Sequence, residues 1–254
     1  MIVNGLYTNK HRIRIMSHKK NASKFQQRII RDVEELYKYP LEIQGIYYKH
    51  DNDDIQKGYA MIIGPKETPY ENGVYLFEFY FKETYPSEPP IVRCLNGDGI
   101  TTLNPNIYIE GKVCLSILNT WHDEMWLSCR TIRSVLLSLI SIFNEYPLKN
   151  EPGFEHLCND HPKIVYYNEF IKYKNFEIGI LKSLSSPSMI FIDEIQSHFS
   201  NKKDEILFWL IENAKLPVMY SITNVYENTL NIKMDYKKLL KPILDSYRTL
   251  TNSY

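Results

Sequence analysis

The residues able to carry chemistry crowd into one irregular stretch, Asn104 to Trp121, which reads NPNIYIEGKVCLSILNTW. Cys114 stands there between Val113 and Leu115. A lone cysteine among aliphatic neighbours is ordinarily inert packing, whereas an accessible, activated thiolate is a strong nucleophile. Three features argue for the second reading. Pro105 sets a turn at Asn104-Pro105-Asn106, Gly111 permits a close backbone approach, and Cys114 follows Asn106 by eight residues. A cysteine hydrolase would need a histidine to take the thiol proton, and His122, His156 and His161 are the candidates. No hydrolase signature surrounds Cys114. His156, Cys158 and His161 could place three zinc ligands on one loop, but a fourth is not evident, so no metal is expected.

The elements that must position this stretch flank it on both sides. Phe25, Ile29, Val33 and Leu36 or Tyr37 recur at helical spacing, and Ser23 with Gln26 has the capping-box pattern, so a helix is expected from residue 23 until near Pro40. Its other face aligns Lys24, Arg28 and Arg31 as an exposed positive stripe, either merely solvated or a docking surface for an acidic partner. Four strand-like runs follow, Ile43 to Tyr48, Tyr59 to Ile63, Val74 to Phe81, and Ile91 to Cys94. In the third, Tyr75, Phe77, Phe79 and Phe81 share one face while Val74, Leu76, Glu78 and Tyr80 share the other. The short turn-rich connections predict an antiparallel meander, with the first helix as its cover. Ile132, Val135, Leu136, Leu139, Ile140 and Phe143 then predict a buried central helix that Pro147 closes. Further helices are expected over Lys163 to Lys182, Ile192 to Asn213 and Asp235 to Tyr247, with a hairpin around Met219 to Ile232. The fold class is therefore α+β. A basic flexible tail is expected over residues 1–22, a main domain over 23–182, and a C-terminal extension of unknown role over 183–254, set off by the Ser185-Ser186-Pro187-Ser188 run.

Composition narrows the function classes. Thirty Lys and Arg cancel thirty Asp and Glu among 254 residues, so no net charge draws the chain to nucleic acid or an anionic membrane. No apolar run approaches the roughly 18 residues of a membrane span. Four cysteines are too few for a secreted disulfide framework, and reduced thiols are expected. A cytoplasmic or nuclear protein follows, with neither nucleic acid nor membrane among its partners. The abundance of Asn, Lys, Ile and Tyr, all served by AT-rich codons, points to an AT-rich genome such as that of a parasite or a large DNA virus.

Taken with two other segments, the Asn104–Trp121 stretch resembles the active-site segment of ubiquitin-conjugating enzymes, in which a His-Pro-Asn turn precedes the acceptor cysteine by the same spacing. GPKETPYENGVY (Gly64 to Tyr75) is similar to the family's Gly-Pro-x-x-(Thr/Ser)-Pro-Tyr-x-x-Gly segment, and YPSEPP (Tyr85 to Pro90) to its Tyr-Pro-x-x-Pro-Pro signature. The resemblance covers about residues 24 to 182. GKVCLSILNTW and NEPGFE (Asn150 to Glu155) resemble most the larger subgroup typified by ubiquitin-conjugating enzyme Z, which also carries Asn where most members have His.

What the resemblance implies is a ubiquitin-conjugating fold and a thioester carrier. Cys114 would accept the C-terminal glycine of ubiquitin, or of a ubiquitin-like protein, from an activating enzyme and pass it to a substrate lysine, usually with a ligase. A thiolate suits this because it is both a good nucleophile and a good leaving group. Asn106 would stabilise the oxyanion, hold the turn, or do both. Glu151, before Pro152, matches the acidic residue that positions the attacking lysine, and Asp123 and Glu124 are second choices. Lys24, Arg28 and Arg31 match the helix that binds the activating enzyme. Phe81 and Lys82 match the first ligase-contact loop, without its Pro, and Trp126-Leu127-Ser128-Cys129 stands where the family has Trp-Ser-Pro-Ala. Ser116 replaces a common Asp, and Asn104 replaces a mainly structural His. No bound cofactor is implied, ATP being used by the activating enzyme. The alternative is a non-catalytic adaptor of the same fold that binds ubiquitin or a ligase. The carrier reading requires Cys114 to be reachable by a flexible peptide tail.

Overall fold

A computed structural model describes residues 22–121, 126–223 and 230–251. The tail expected before residue 22, and His122, Asp123 and Glu124, lie outside the described residues. The chain forms two compact units from interleaved segments. Among the described residues, the first comprises 22–62, 76–95, 106–121 and 126–141, and the second 63–75, 96–105, 142–223 and 230–251.

In the first unit, helix α1 (Lys24–Lys38) begins where expected, with Gln26 Oε1 accepting the Ser23 N–H at 2.9 Å. Ile29, Ile30, Val33 and Leu36 form its buried stripe. The positive stripe needs correcting. Lys24 and Arg31 are exposed, but Arg28 is only 9% exposed and turns inward. Its guanidinium donates to Asp32 Oδ1 at 2.7 Å and to the carbonyls of Ser128 and Arg130, and lies 5.5 Å from the Tyr85 ring centroid. Tyr85 in turn donates its hydroxyl to Asp32 Oδ2. Burial, reinforced by that carboxylate, pushes the tyrosine hydroxyl far above its usual range. Arg28 is therefore a core cation that ties α1 to the loop after Trp126.

Strands β1 (Ile46–His50), β2 (Lys57–Ile63), β3 (Val74–Tyr80) and β4 (Ile91–Cys94) form one four-stranded sheet in sequence order. The observed β1–β2 and β3–β4 pairings are antiparallel, Tyr48 facing Ala60 and Phe79 facing Val92. The first strand starts later than expected, because Glu42–Gln44 make a 3-10 turn and Gly45 leaves it at φ 76°, which exposes Ile43. Phe77, Phe79 and Phe81 are fully buried, as the alternation predicts, while Tyr80 faces solvent. Helix α2 (Ile132–Ser141) buries Ile132, Val135, Leu136 and Leu139 and packs against α1.

In the second unit, the Gly64–Gly73 turn is closed by Gly64 N–H on Gly73 O at 2.8 Å. Tyr70 is fully buried there, donating to Leu103 O and accepting from Asn104 Nδ2, each at 2.9 Å. Asn104 also donates to Ile142 O at 2.8 Å, so the residue at the unusual position is a structural hydrogen bonder. Helix α3 (Pro162–Lys174) runs on through a π turn (Asn175–Leu181) into α4 (Lys182–Ser185). Lys182 therefore sits within a continuous helical run, and residues on both sides of it belong to the second unit. Helix α5 (Ile192–Ala214), the antiparallel pair β5 (Met219–Thr223) and β6 (Leu230–Met234), and α6 (Lys237–Thr251) follow. Trp209 of α5 stacks on Phe176, with Tyr236 edge-on to both, so the extension is joined to the preceding helix by an aromatic cluster. Among the described residues no helix is long and apolar enough to cross a membrane.

Candidate functional site

Cys114 sits on a short hairpin whose two arms are locked at one point. Cys114 N–H donates to Asn106 O at 2.8 Å, and Asn106 Nδ2 returns a bond to Cys114 O at 2.9 Å. Ile107 bridges Val113 beside this pair, and Tyr108 N–H reaches Lys112 O at 2.9 Å. The hairpin is pinned to β4 by Cys94 N–H on Gly111 O at 2.8 Å. At Gly111 φ is +86°, and a Cβ there would lie 2.3 Å from Cys94 O, so only glycine fits. The sequence places Asn106 and Cys114 together, and the fold does so through main-chain bonds on both residues.

Beyond Cys114 the chain doubles back. Ser116–Leu118 form a 3-10 turn, Asn119 takes a left-handed conformation at φ 53°, and Thr120 returns to face the cysteine. Thr120 Oγ1 bonds Val113 O at 2.8 Å and accepts from Leu115 N–H at 2.9 Å, clasping the residues on either side of Cys114. The Cys114 thiol itself donates to Thr120 O at 3.1 Å. Cys114 is left 1% exposed, which corrects the expectation of a reachable sulfur: the returning turn covers it. Beside the covered thiol lies a shallow cleft of about 650 Å³, walled in part by Val113, Leu118, Asn119 and Thr120. Neither Asn119 nor Thr120 was singled out from the sequence, because a turn that folds back carries no periodic signal.

Thr120→Val keeps the shape of the side chain and removes the clasp. Each lost hydrogen bond is worth about 1 kcal/mol, and Leu115 N–H is left without its acceptor, so opening becomes about tenfold easier. Alkylation of Cys114 by iodoacetamide, followed by mass spectrometry, should accelerate by about that factor. An unchanged rate would show that the thiol is reached by another route.

The remaining sequence candidates divide by exposure. Phe81 is fully buried and Trp126 is 7% exposed, so neither side chain offers a contact surface, contrary to expectation. Trp126 is held inside by Nε1–H on Pro86 O at 2.8 Å and by its own N–H on Asn119 Oδ1 at 2.9 Å. Lys82 is exposed and paired with Glu88 at 3.0 Å, and Leu127 presents 60% of its surface. Glu151 belongs to the second unit, follows a 3-10 turn (Pro147–Asn150), and is partly exposed. His161 Nδ1 caps α3 by accepting Lys163 N–H, and Cys158 is hydrogen-bonded to Asp160, which pushes its thiol up. Among the described residues no three His, Cys, Asp or Glu side chains are placed to hold a metal.

Residues 28–167, more than half of the chain, match the family model described as ubiquitin-conjugating enzyme. Over 155 residues the chain is 41% identical to human "Ubiquitin-conjugating enzyme E2 Z", covering 60% of this chain and 43% of that protein. It is 36% identical over 171 residues to a probable ubiquitin-conjugating enzyme of Caenorhabditis elegans, covering 64% of this chain and 24% of that one. With a probable ubiquitin-conjugating enzyme of Acanthamoeba polyphaga mimivirus it shares 31% identity over 171 residues, 64% of this chain and 12% of that protein. The chain thus spans half or less of the length of these relatives. The match takes in Asn106, Gly111 and Cys114 together with most of α1, the sheet and α2, and on that ground the chain belongs to the ubiquitin-conjugating enzyme family and has its α+β fold.

Proposed function

We propose that this chain carries ubiquitin or a ubiquitin-like modifier as a thioester on Cys114, taking it from an activating enzyme and delivering it to a substrate lysine with the help of a ligase. The observation that carries the reading is the reciprocal Asn106–Cys114 lock inside the family-matched segment. In loading, the Cys114 sulfur attacks the modifier's C-terminal carbonyl carbon, the activating enzyme's thiolate leaves, and the thiol proton passes to it. In transfer, the lysine nitrogen attacks the same carbon, the C–S bond breaks, and the amine proton is lost. Asn106 holds Cys114 through one amide N–H, and an asparagine amide carries two, so the same residue can also meet the developing oxyanion. Glu151 positions the lysine amine. Lys24 and Arg31 supply the positive contacts to the activating enzyme, and Lys82 with Leu127 supplies exposed contacts to the ligase.

The turn at Ser116–Thr120 must swing off the sulfur for either step. Residues 23–182 hold this chemistry, and the extension over 183–254 serves either to pack against that domain or to choose substrates. ATP is consumed by the activating enzyme, the compartment is cytoplasmic or nuclear, and neither nucleic acid nor membrane is a partner. Residue usage, together with the mimivirus relative, supports an AT-rich source genome such as that of a large DNA virus.

The test is incubation with activating enzyme, ATP and ubiquitin. A single adduct that reductant removes is expected. If neither ubiquitin nor any ubiquitin-like modifier forms one, the carrier reading fails. The non-catalytic adaptor then stands, and the covered sulfur of Cys114 is the observation that favours it.

A further inference from the structure

The second unit contains a cleft of about 480 Å³ that the proposed thioester chemistry does not use. Its lining includes the half-buried Trp209, on which the buried Phe176 stacks with centroids 5.1 Å apart and planes 16° from parallel. The rim is acidic. Glu67 and Glu71 come from the Gly64–Gly73 turn, Glu145 from the segment after α2, and Glu205 from α5. Lys172, the single lining cation among the described residues, is committed to Glu169 at 2.8 Å, and Glu205 is paired with Lys202 at 2.6 Å. Among the described residues no lysine or arginine pairs with Glu67, Glu71 or Glu145. Asn168 also lines the cleft. Asn168 donates through Nδ2 to Glu145 O at 2.8 Å, while its Oδ1 is buried with no donor.

A half-buried indole beside three carboxylates without a paired cation favours a ligand that is cationic and flat. A guanidinium meets both requirements: it is cationic, and it stacks against an indole while aiming its donors in its own plane. An ammonium offers the charge without the plane, and a neutral urea the plane without the charge. We infer that this cleft binds an arginine side chain presented by a partner polypeptide. The guanidinium packs against Trp209, with its edge toward Glu67, Glu71 and Glu145. The inference uses residues of the second unit alone and is independent of whether Cys114 forms a thioester.

The full chain labelled with 5-fluorotryptophan gives three fluorine resonances, one for each tryptophan, and loss of a signal in Trp209→Phe assigns the reporter. Titration with a blocked peptide holding one arginine among glycines and serines should move the Trp209 resonance. The same peptide with lysine or citrulline in place of arginine should bind at least about tenfold more weakly. The double variant Glu67→Gln, Glu145→Gln alters two exposed side chains and should weaken the arginine peptide by about tenfold, as should a rise in salt. Equal binding of the three peptides, no movement of the Trp209 resonance, or full affinity in the double variant would overturn the assignment.

Discussion

Cys114→Ala is expected to form no adduct with activating enzyme, ATP and ubiquitin, a complete loss, because no other group on the locked hairpin can be acylated and then released. Cys129 and Cys158 are exposed and Cys94 is buried, so if one of them were the acceptor the adduct would persist in this variant. Cys114→Ser sharpens the test. Its hydroxyl is a much weaker nucleophile and its ester a much less reactive acyl donor, so the adduct should form slowly and resist thiol reductant while yielding to hydroxide. A reductant-sensitive adduct in either variant would remove Cys114 from the mechanism. Because the wild-type thiol lies under the Thr120 turn, loading should also be slower than in Thr120→Val when activating enzyme is in excess.

Arg28→Ala should destabilise the protein by about 3–5 kcal/mol, the usual cost of leaving the other member of a buried ion pair without its partner. Asp32, 1% exposed, would retain only the Tyr85 hydroxyl, and the carbonyls of Ser128 and Arg130 would lose their shared donor. That is a large fraction of the roughly 5–15 kcal/mol that holds a domain folded. Chemical denaturation should show it as a lower midpoint. A variant within about 0.5 kcal/mol of wild type, the range of ordinary surface changes, would mean that Arg28 is solvated after all. Lys24→Ala and Arg31→Ala, at exposed positions of the same helix, should leave the midpoint nearly unchanged.

The contrast between Arg28 and its neighbours shows what periodicity can convey. Spacings of three and four place Lys24, Arg28 and Arg31 along one flank of α1, and the buried stripe of Ile29, Val33 and Leu36 lies beside it. Which flank residue the fold covers depends on where the loop at residues 128–130 passes, a hundred residues away in sequence. Alternation in β3 had no such ambiguity, since a strand has only two faces and the aromatic one had to be inside. Phe81 and Trp126 were assigned contact roles by resemblance, yet both are large apolar groups at the edges of a core, and burial claimed them.

Residue type and pattern alone made legible the eight-residue spacing of Cys114 from Asn106, the close approach at Gly111 and the order of the strands, all of them local properties, while the choice of Cys114 as candidate nucleophile came from the family resemblance. Three features came from the fold alone: the Cys114 thiol bonded to Thr120 O, Arg28 as a core cation, and Glu67, Glu145 and Trp209 lining one cleft. Each of those depends on segments distant in the chain meeting in space, and such meetings are settled by packing and hydrogen-bond satisfaction across the fold rather than by any window of residues.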